Sequence, residues 1–269
     1  MKALDRKLWR DLRLMWSQAL TIALVVASGV AGFITSLSAV DSLALARDRF
    51  YAQGRFADLF ATVKRAPDAL TPVLRDEPGV ADVQTTLEQY VRIELPDTSD
   101  PVIGQLIGLD ARRPQRMNLV SLRRGRWPEP GLASDGAIPA LVSAGFAQAR
   151  SLRPGTRLKA QINGKPRTLA IEGIALSPEF VFAGLGGMPD LRGFGIFWID
   201  HEALAAAYDM AGAFNRVAVK LAPGASEADV AARLAERLSA YGTREVIGRC
   251  AFPAASHSTA RCIGTVCER

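Results

Sequence analysis

The sequence predicts an α+β protein in which one N-terminal transmembrane helix is followed by a mixed α/β extracytoplasmic domain. Three observations predict it. An uncharged, mostly apolar run extends from Leu14 to Val40, between Arg13 and Asp41. Beyond it, several short segments alternate apolar and polar residues with the period of half-buried strands. Between those segments lie short runs with helical spacing and recognisable caps.

A helix needs about 20 apolar residues to cross a hydrocarbon core of roughly 30 Å, so residues 14–40 are long enough to span with some tilt. Lys2, Arg6, Lys7, Arg10 and Arg13 precede the span, and only Arg47 and Arg49 follow it closely. That bias places residues 1–13 in the cytoplasm and everything after Asp41 outside. A cleaved signal peptide is the rival reading, but its apolar region is about 7–15 residues long, and Ser36-Leu37-Ser38 is a poor cleavage site. Leu4, Leu8, Leu12 and Met15 form one face of an amphipathic N-terminal helix, with Arg6 opposite and Trp9 suited to the interface. Arg6 and Trp9 are therefore candidate contacts to headgroups or a partner subunit. Within the span, Gly29 and Gly32, with Ser28 and Thr35, would let a second helix approach closely.

Past the span, Ser42 to Tyr51 continues as a helical stalk, with Gly54 as its stop. Ala57 to Lys64 reads as a strand. Asp68 to Arg75 reads as a short helix, with Pro72 tolerable only near its first turn. From Val83 to Leu95 the alternation predicts one long strand, broken in phase only at Gln89, and Val102 to Leu109 is its hairpin partner across a turn at 96–101. Residues 111–136 are rich in Arg, Pro and Gly and mark a subdomain boundary. Their arginines, Arg112, Arg113, Arg116, Arg123, Arg124 and Arg126, read as a solvated surface in the absence of any nucleic-acid motif.

Ile138 to Val142 predicts a strand and Ser143 to Arg150 a helix. Leu158, Ala160 and Ile162 alternate with polar residues, Asn163-Gly164 supplies a type I′ turn, and Leu169 and Ile171 alternate back. Pro166 removes one ladder donor and points to an edge position. Residues 177–194 form an apolar loop in which Phe180 and Phe182 are candidate contacts, either on an exposed surface or folded back as a lid. Ile196 to Ile199 is a strand leading into a helix capped by Asp200, and Arg216 to Leu221 is another strand. Ser226, followed by Asp229, opens a helix with Val230, Leu234 and Leu238 in one stripe and Gly242 beyond its end.

The chain carries a formal charge of +6 over 269 residues, yet much of the excess flanks the span and no aromatic-rich basic patch accompanies it, so nucleic acid is not an expected partner. His201-Glu202 lacks a second histidine at helical spacing, Gly184-Leu185-Gly186-Gly187 lacks a strand-to-helix context, and no phosphate loop or nucleophile elbow occurs. No catalytic or metal site and no enzyme activity is expected. Cys250, Cys262 and Cys267 all fall at the end of the chain, at spacings that match no metal site.

The stretches LDRKLWRDLRLMWSQALTIALVVASGVAGF, RFADLFATVKRAP, GIALSPEFVFA and FGIFWIDHEALAAAYDMAGAFNRVAVKLAPGASEADV carry a resemblance. Over about Leu4 to Arg249 the chain resembles the N-terminal part of FtsX-like ABC transporter permeases with a MacB-like periplasmic core domain. The resemblance implies an extracytoplasmic domain (41–249) of two α/β subdomains, the second inserted at about 113–212, and location in the cell inner membrane. It also implies a separate ABC ATPase subunit that binds the ATP, so that no cofactor belongs to this chain. Further partners would be membrane lipid and other permease transmembrane segments or a second permease copy. Where the family leads on toward further spans, this chain continues CAFPAASHSTARCIGTVCER, a sharp compositional break. Residues 250–269 are accordingly expected to be an aberrant, disordered tail of a truncated or frame-shifted copy, which the coding DNA past Arg249 would reveal. The competing functional reading is a single-span, membrane-anchored sensing or binding module.

Overall fold

The computed structural model describes residues 7, 9–10, 15–95, 102–110, 115–180, 184, 190–248, 262–263 and 266–267. The chain divides into two compact units, residues 1–51 and 52–269. The first is dominated by helix α1 (Trp16–Gln53), whose 38 residues run without a break through the apolar run and the stalk. No interruption separates them, because Asp41 to Asp48 contains no Gly or Pro and Gly54 is the first residue able to end the helix cheaply. At about 1.5 Å per residue α1 is roughly 57 Å long, well over the hydrocarbon thickness. Its apolar side chains, among them Leu24, Val25, Phe33 and Ile34, are exposed, and the helix is long and apolar enough to cross a membrane.

The second unit contains two sheets. The four-stranded sheet has the order β11–β1–β10–β2, formed by β1 (Leu59–Pro67), β2 (Val80–Thr86), β10 (Ala213–Leu221) and β11 (Glu245–Gly248), all neighbours antiparallel. Helix α2 (Leu70–Arg75) joins β1 to β2, and α5 (Glu227–Leu238) joins β10 to β11. This is the split βαβ arrangement of a ferredoxin-like sheet. Both helices cover one face, where Leu59, Ala61, Val63, Val217 and Val219 meet Leu74, Val230, Leu234 and Leu238. The opposite face carries Phe60, Arg216 and Ala218, the residues that alternate with them. Helix α5 starts where expected, with Ser226 Oγ accepting from the Asp229 amide, and Gly242 adopts a left-handed conformation (φ 71°) just after the closing 3₁₀ turn.

Between β2 and β10 in sequence lie the seven strands of the other sheet: β3 (Glu88–Glu94), β4 (Val102–Leu109), β5 (Ser121–Gly125), β6 (Ile138–Ser143), β7 (Arg157–Ile162), β8 (Lys165–Leu176) and β9 (Phe194–Asp200). Their order is β5–β8–β6–β9–β4–β3–β7, and β7 pairs again with β8. Six strands thereby close into a ring, with β5 held on the second half of β8. Helices α3 (Ala144–Ala149) and α4 (His201–Ala207) add Phe146, Ala147, Leu204 and Ala205 to the core within that ring. Asp200 caps α4 by accepting from the Ala203 amide.

Two expectations change. The single strand at 83–95 is two strands, β2 and β3, in different sheets, because the chain leaves one sheet for the other at the buried Leu87. Leu87 keeps the apolar phase, so the periodicity hides the crossing. For the same reason the inserted segment begins near Glu88 rather than 113: β3 and β4 already belong to the seven-stranded sheet. The Asn163-Gly164 turn forms as expected, with positive φ at both residues. Pro166 also takes the expected edge position, although β8 lies inside the sheet further along. It lies opposite Gln161 but precedes Leu169, where pairing of β8 with β6 starts, so its missing donor costs no ladder bond on that side. Of residues 250–269, only Cys262–Ile263 (β12) and Val266–Cys267 (β13) lie among the described residues, where they pair antiparallel; the expectation for the remainder of 250–269 lies outside the described residues.

The ring is narrow. Gly104 on β4 and Gly195 on β9 are paired in register. A Cβ at Gly195 would lie 2.8 Å from the Phe197 ring and 3.1 Å from that of Phe146, and one at Gly104 would lie 2.7 Å from Ile93. Gly195→Val should therefore overpack the core and cost about 1–3 kcal/mol, read as a lowered urea midpoint at unchanged slope.

Candidate functional site

The uncovered face of the four-stranded sheet and the outside of the ring meet in a buried polar seam. Arg216 projects from β10, on the face opposite α2 and α5. Its Nη1 donates to Glu88 Oε2 at 2.7 Å, and its Nη2 contacts Glu179 Oε1 as an ion pair rather than a well-directed hydrogen bond. The guanidinium also lies over the rings of Phe60 (5.2 Å to the centroid) and Phe180 (6.0 Å). Side-chain exposure is 13% for Arg216 and Glu88 and 9% for Glu179, so the charges sit in a largely dry environment. A cavity of about 20 Å³ beside them has room for about one water.

Local structure brings these residues together. Glu88 is the first residue of β3, and its backbone is held by Asn215, whose Oδ1 accepts from the Glu88 amide (2.8 Å) while Nδ2 donates to the Glu88 carbonyl (2.7 Å). Gln105 donates to the same Glu88 oxygen at 2.7 Å. Glu179 lies in the 3₁₀ turn Pro178–Phe180 that ends β8. Asn118, in a left-handed conformation (φ 50°), donates from Nδ2 to Glu179 Oε2 at 2.9 Å, while its Oδ1 accepts from the Ala57 amide at 3.1 Å. Its own amide donates to the Arg55 carbonyl (3.2 Å), and the Leu119 amide donates to that of Gly54 (2.9 Å). The segment immediately after α1 is thus bonded through Asn118 and Glu179 to Arg216 and Glu88.

Burial raises the Glu179 pKa to about 7, opposed by the Arg216 charge and reinforced by Glu88, with the Asn118 hydrogen bond lowering it. For Arg216, burial opposes the charge, but Glu179 and Glu88 together raise the pKa above its ordinary value. The Tyr90 hydroxyl is likewise held above its ordinary value by partial desolvation and by Glu88, against the Arg216 charge, although the residue as a whole is largely exposed. A second, larger cleft of about 140 Å³ opens between the sheets and is bordered by Asp68, Thr71 and Arg75 on one side and Gly108, Asp110 and His201 on the other.

Of the residues proposed from sequence, Phe180 belongs to this seam: it packs edge-on against Trp198 and under Arg216 rather than standing free on the surface. Trp9 is exposed, and Gly29 and Gly32 have nothing within 4 Å of where a Cβ would lie. Arg6 and Phe182 lie outside the described residues, as do Arg112 and Arg113. Arg116 bonds to Asp82 at 2.7 Å, and Arg123, Arg124 and Arg126 are exposed. Sequence reasoning missed Glu88, Asn118, Glu179 and Arg216. The available signals were a glutamate inside the apolar SPEFVFA stretch and an arginine within a strand otherwise rich in valine and alanine.

A helix long and apolar enough to cross a membrane leads into an α/β unit with a ferredoxin-like sheet and a closed ring. The family described as MacB-like periplasmic core domain matches residues 19–237, and the chain belongs to it. The expected kinship with FtsX-like ABC transporter permeases is borne out at that level. A comparison with curated proteins finds no match. Among solved structures, the chain is similar to the extracellular domain of the noncanonic ABC-type transporter YknZ from Gram-positive bacteria, with 13% identity, TM-score 0.40 and coverage of 70% of this chain and 99% of that one. It is also similar to the periplasmic region of MacB from Actinobacillus actinomycetemcomitans, with 9% identity, TM-score 0.42 and coverage of 72% and 89%. At these scores the membership rests on the family match alone.

Removing Arg216 would leave Glu88 and Glu179 buried without their cation. Arg216→Ala should lower unfolding stability by about 3–5 kcal/mol in urea titrations of the detergent-solubilised chain, and adding Glu179→Gln should recover part of the loss.

Proposed function

We propose that the chain is the permease (membrane) subunit of an ABC transporter, coupling ATP hydrolysis by a separate ATPase to movement of its extracytoplasmic domain in export or mechanotransmission. The observation that carries this reading is continuity. Helix α1 runs unbroken to Gln53, and the next residues, Gly54 to Ala57, are hydrogen-bonded through Asn118 to the seam between the sheets. A displacement of the helix end along its axis therefore reaches a network of directed bonds within a few residues.

The partners follow from the same reading. The ATPase supplies the nucleotide site. Gly29 and Gly32 offer the close approach needed by other permease helices or a second permease copy, while Trp9 and the basic residues around it, including Arg6, meet lipid headgroups or the partner subunit at the cytoplasmic surface. The main domain then lies in the periplasm, with the chain held in the inner membrane. MacB-like membership supports this orientation, as does the surplus of Lys and Arg before the span.

The test is co-expression with a cognate ABC ATPase followed by affinity purification in detergent. The ATPase should copurify, and Gly29→Leu with Gly32→Leu should weaken helix association while leaving the extracytoplasmic domain folded, as judged by its unchanged urea midpoint. A chain that is stable alone and recruits no ATPase would overturn the reading in favour of an anchored binding module. Reporter fusion at the Asn163-Gly164 turn should show activity only outside the cytoplasm.

A further inference from the structure

The seam contains an unequal number of charges. Among the described residues, the small cavity at Arg216 is lined by three charged side chains, Glu88, Glu179 and Arg216. One guanidinium facing two carboxylates leaves a net charge of −1 when all three are ionised, and none when the carboxylates hold one proton between them. In a dry site that difference is costly, because the surplus charge finds no solvent to screen it.

The charges are also divided between the two bodies that meet here, the arginine on one and both carboxylates on the other. Arg216 belongs to the four-stranded sheet, while Glu88 begins β3 and Glu179 follows β8 of the ring. Separating the sheets at this point would expose both carboxylates to water. We propose that Glu88, Arg216 and Glu179 form a proton-operated latch between the four-stranded sheet and the ring, closed when the two carboxylates share one proton and loosened when both are ionised. It rests on the geometry of the seam and stands whether or not the chain serves a transporter.

The other groups facing Glu179 do not reverse the sign. Strand β10 presents Arg216. Strand β3 presents Glu88 and, next to it, Tyr90, which stays neutral because its pKa is raised by partial desolvation and by Glu88. The 115–120 loop presents the uncharged Asn118 amide, β1 presents Phe60, and β9 presents Trp198. A carboxylate that titrates near pH 7 when closed and in the ordinary range when solvated binds its proton more tightly in the closed form. The contribution to closure is therefore complete below the ordinary carboxylate range and is lost progressively as pH rises through about 7. Loosening would release Asn118, and with it the Ala57 amide just beyond α1.

The experiment is amide hydrogen exchange on the full chain in detergent at pH 6 and pH 8, corrected for intrinsic exchange chemistry. The amides followed are Ala57, which donates to Asn118, and Glu88, which donates to Asn215. Protection in the wild type should fall about tenfold between the two pH values, the ratio given by the linkage of one carboxylate. Glu179→Gln should abolish the dependence, and Glu88→Gln should move it to lower pH by removing the competing negative charge. A flat wild-type response, or a dependence that survives Glu179→Gln, overturns the proposal. Should that variant fail to fold, the wild-type Glu179 carboxyl carbon is followed by NMR. A midpoint above pH 6 supports the latch, and a midpoint in the ordinary carboxylate range overturns it.

Discussion

A charge buried away from water must be paired, and the Arg216 guanidinium is where this chain meets that constraint. Placed on the face of a ferredoxin-like sheet that its own helices leave bare, the arginine obliges whatever covers that face to bring carboxylates. The ring brings two, from β3 and from the turn after β8, with Gln105 bonding the Glu88 carboxylate and Asn118 that of Glu179, while Asn215 of β10 holds the Glu88 backbone. A hydrophobic seam could have joined the sheets with comparable strength. The ionic one fixes register as well, since the planar fork of Arg216 is satisfied in one relative placement of its partners.

Elements set by local chemistry were legible in the sequence. The Asn163-Gly164 hairpin, the Asp200 cap and the stripe of Val230, Leu234 and Leu238 each depend on residues a few positions apart, and each forms. The passage between sheets at Leu87 was not legible, because a strand leaving one sheet and entering another keeps the same alternation as a strand continuing in place. The seam was hidden for a related reason. Its members stand at 88, 118, 179 and 216, share no motif, and acquire meaning only when two sheets fold against each other. Phe180 was singled out for being apolar in a loop, and that loop does matter, but the neighbour that does the bonding is Glu179.

The helix and the domain meet different demands with the same economy of breaks. The 38 residues of α1 contain glycine only at Gly29 and Gly32 and no proline, and the helix runs through both glycines unbroken. The first joint is Gly54, and the backbone there is at once tied to the loop around Asn118. The match to the MacB-like periplasmic core family begins at residue 19, inside α1, and so covers both the helix and the domain that follows it.

The ring also has a consequence for how such a protein could be taken apart. Thr86 at the end of β2 lies directly opposite Arg216 on β10, a strand that has already joined β1 at Ala213, so the excursion from Leu87 to Gly212 leaves and rejoins the four-stranded sheet at neighbouring positions. A two- to four-residue hairpin could bridge that gap. In outline the chain is a complete small βαββαβ domain in which a second body stands in place of one turn. A body grafted through so narrow a neck depends for its placement on the side-chain bonds beside that neck, the Glu88–Arg216 pair and the Arg116–Asp82 pair among them.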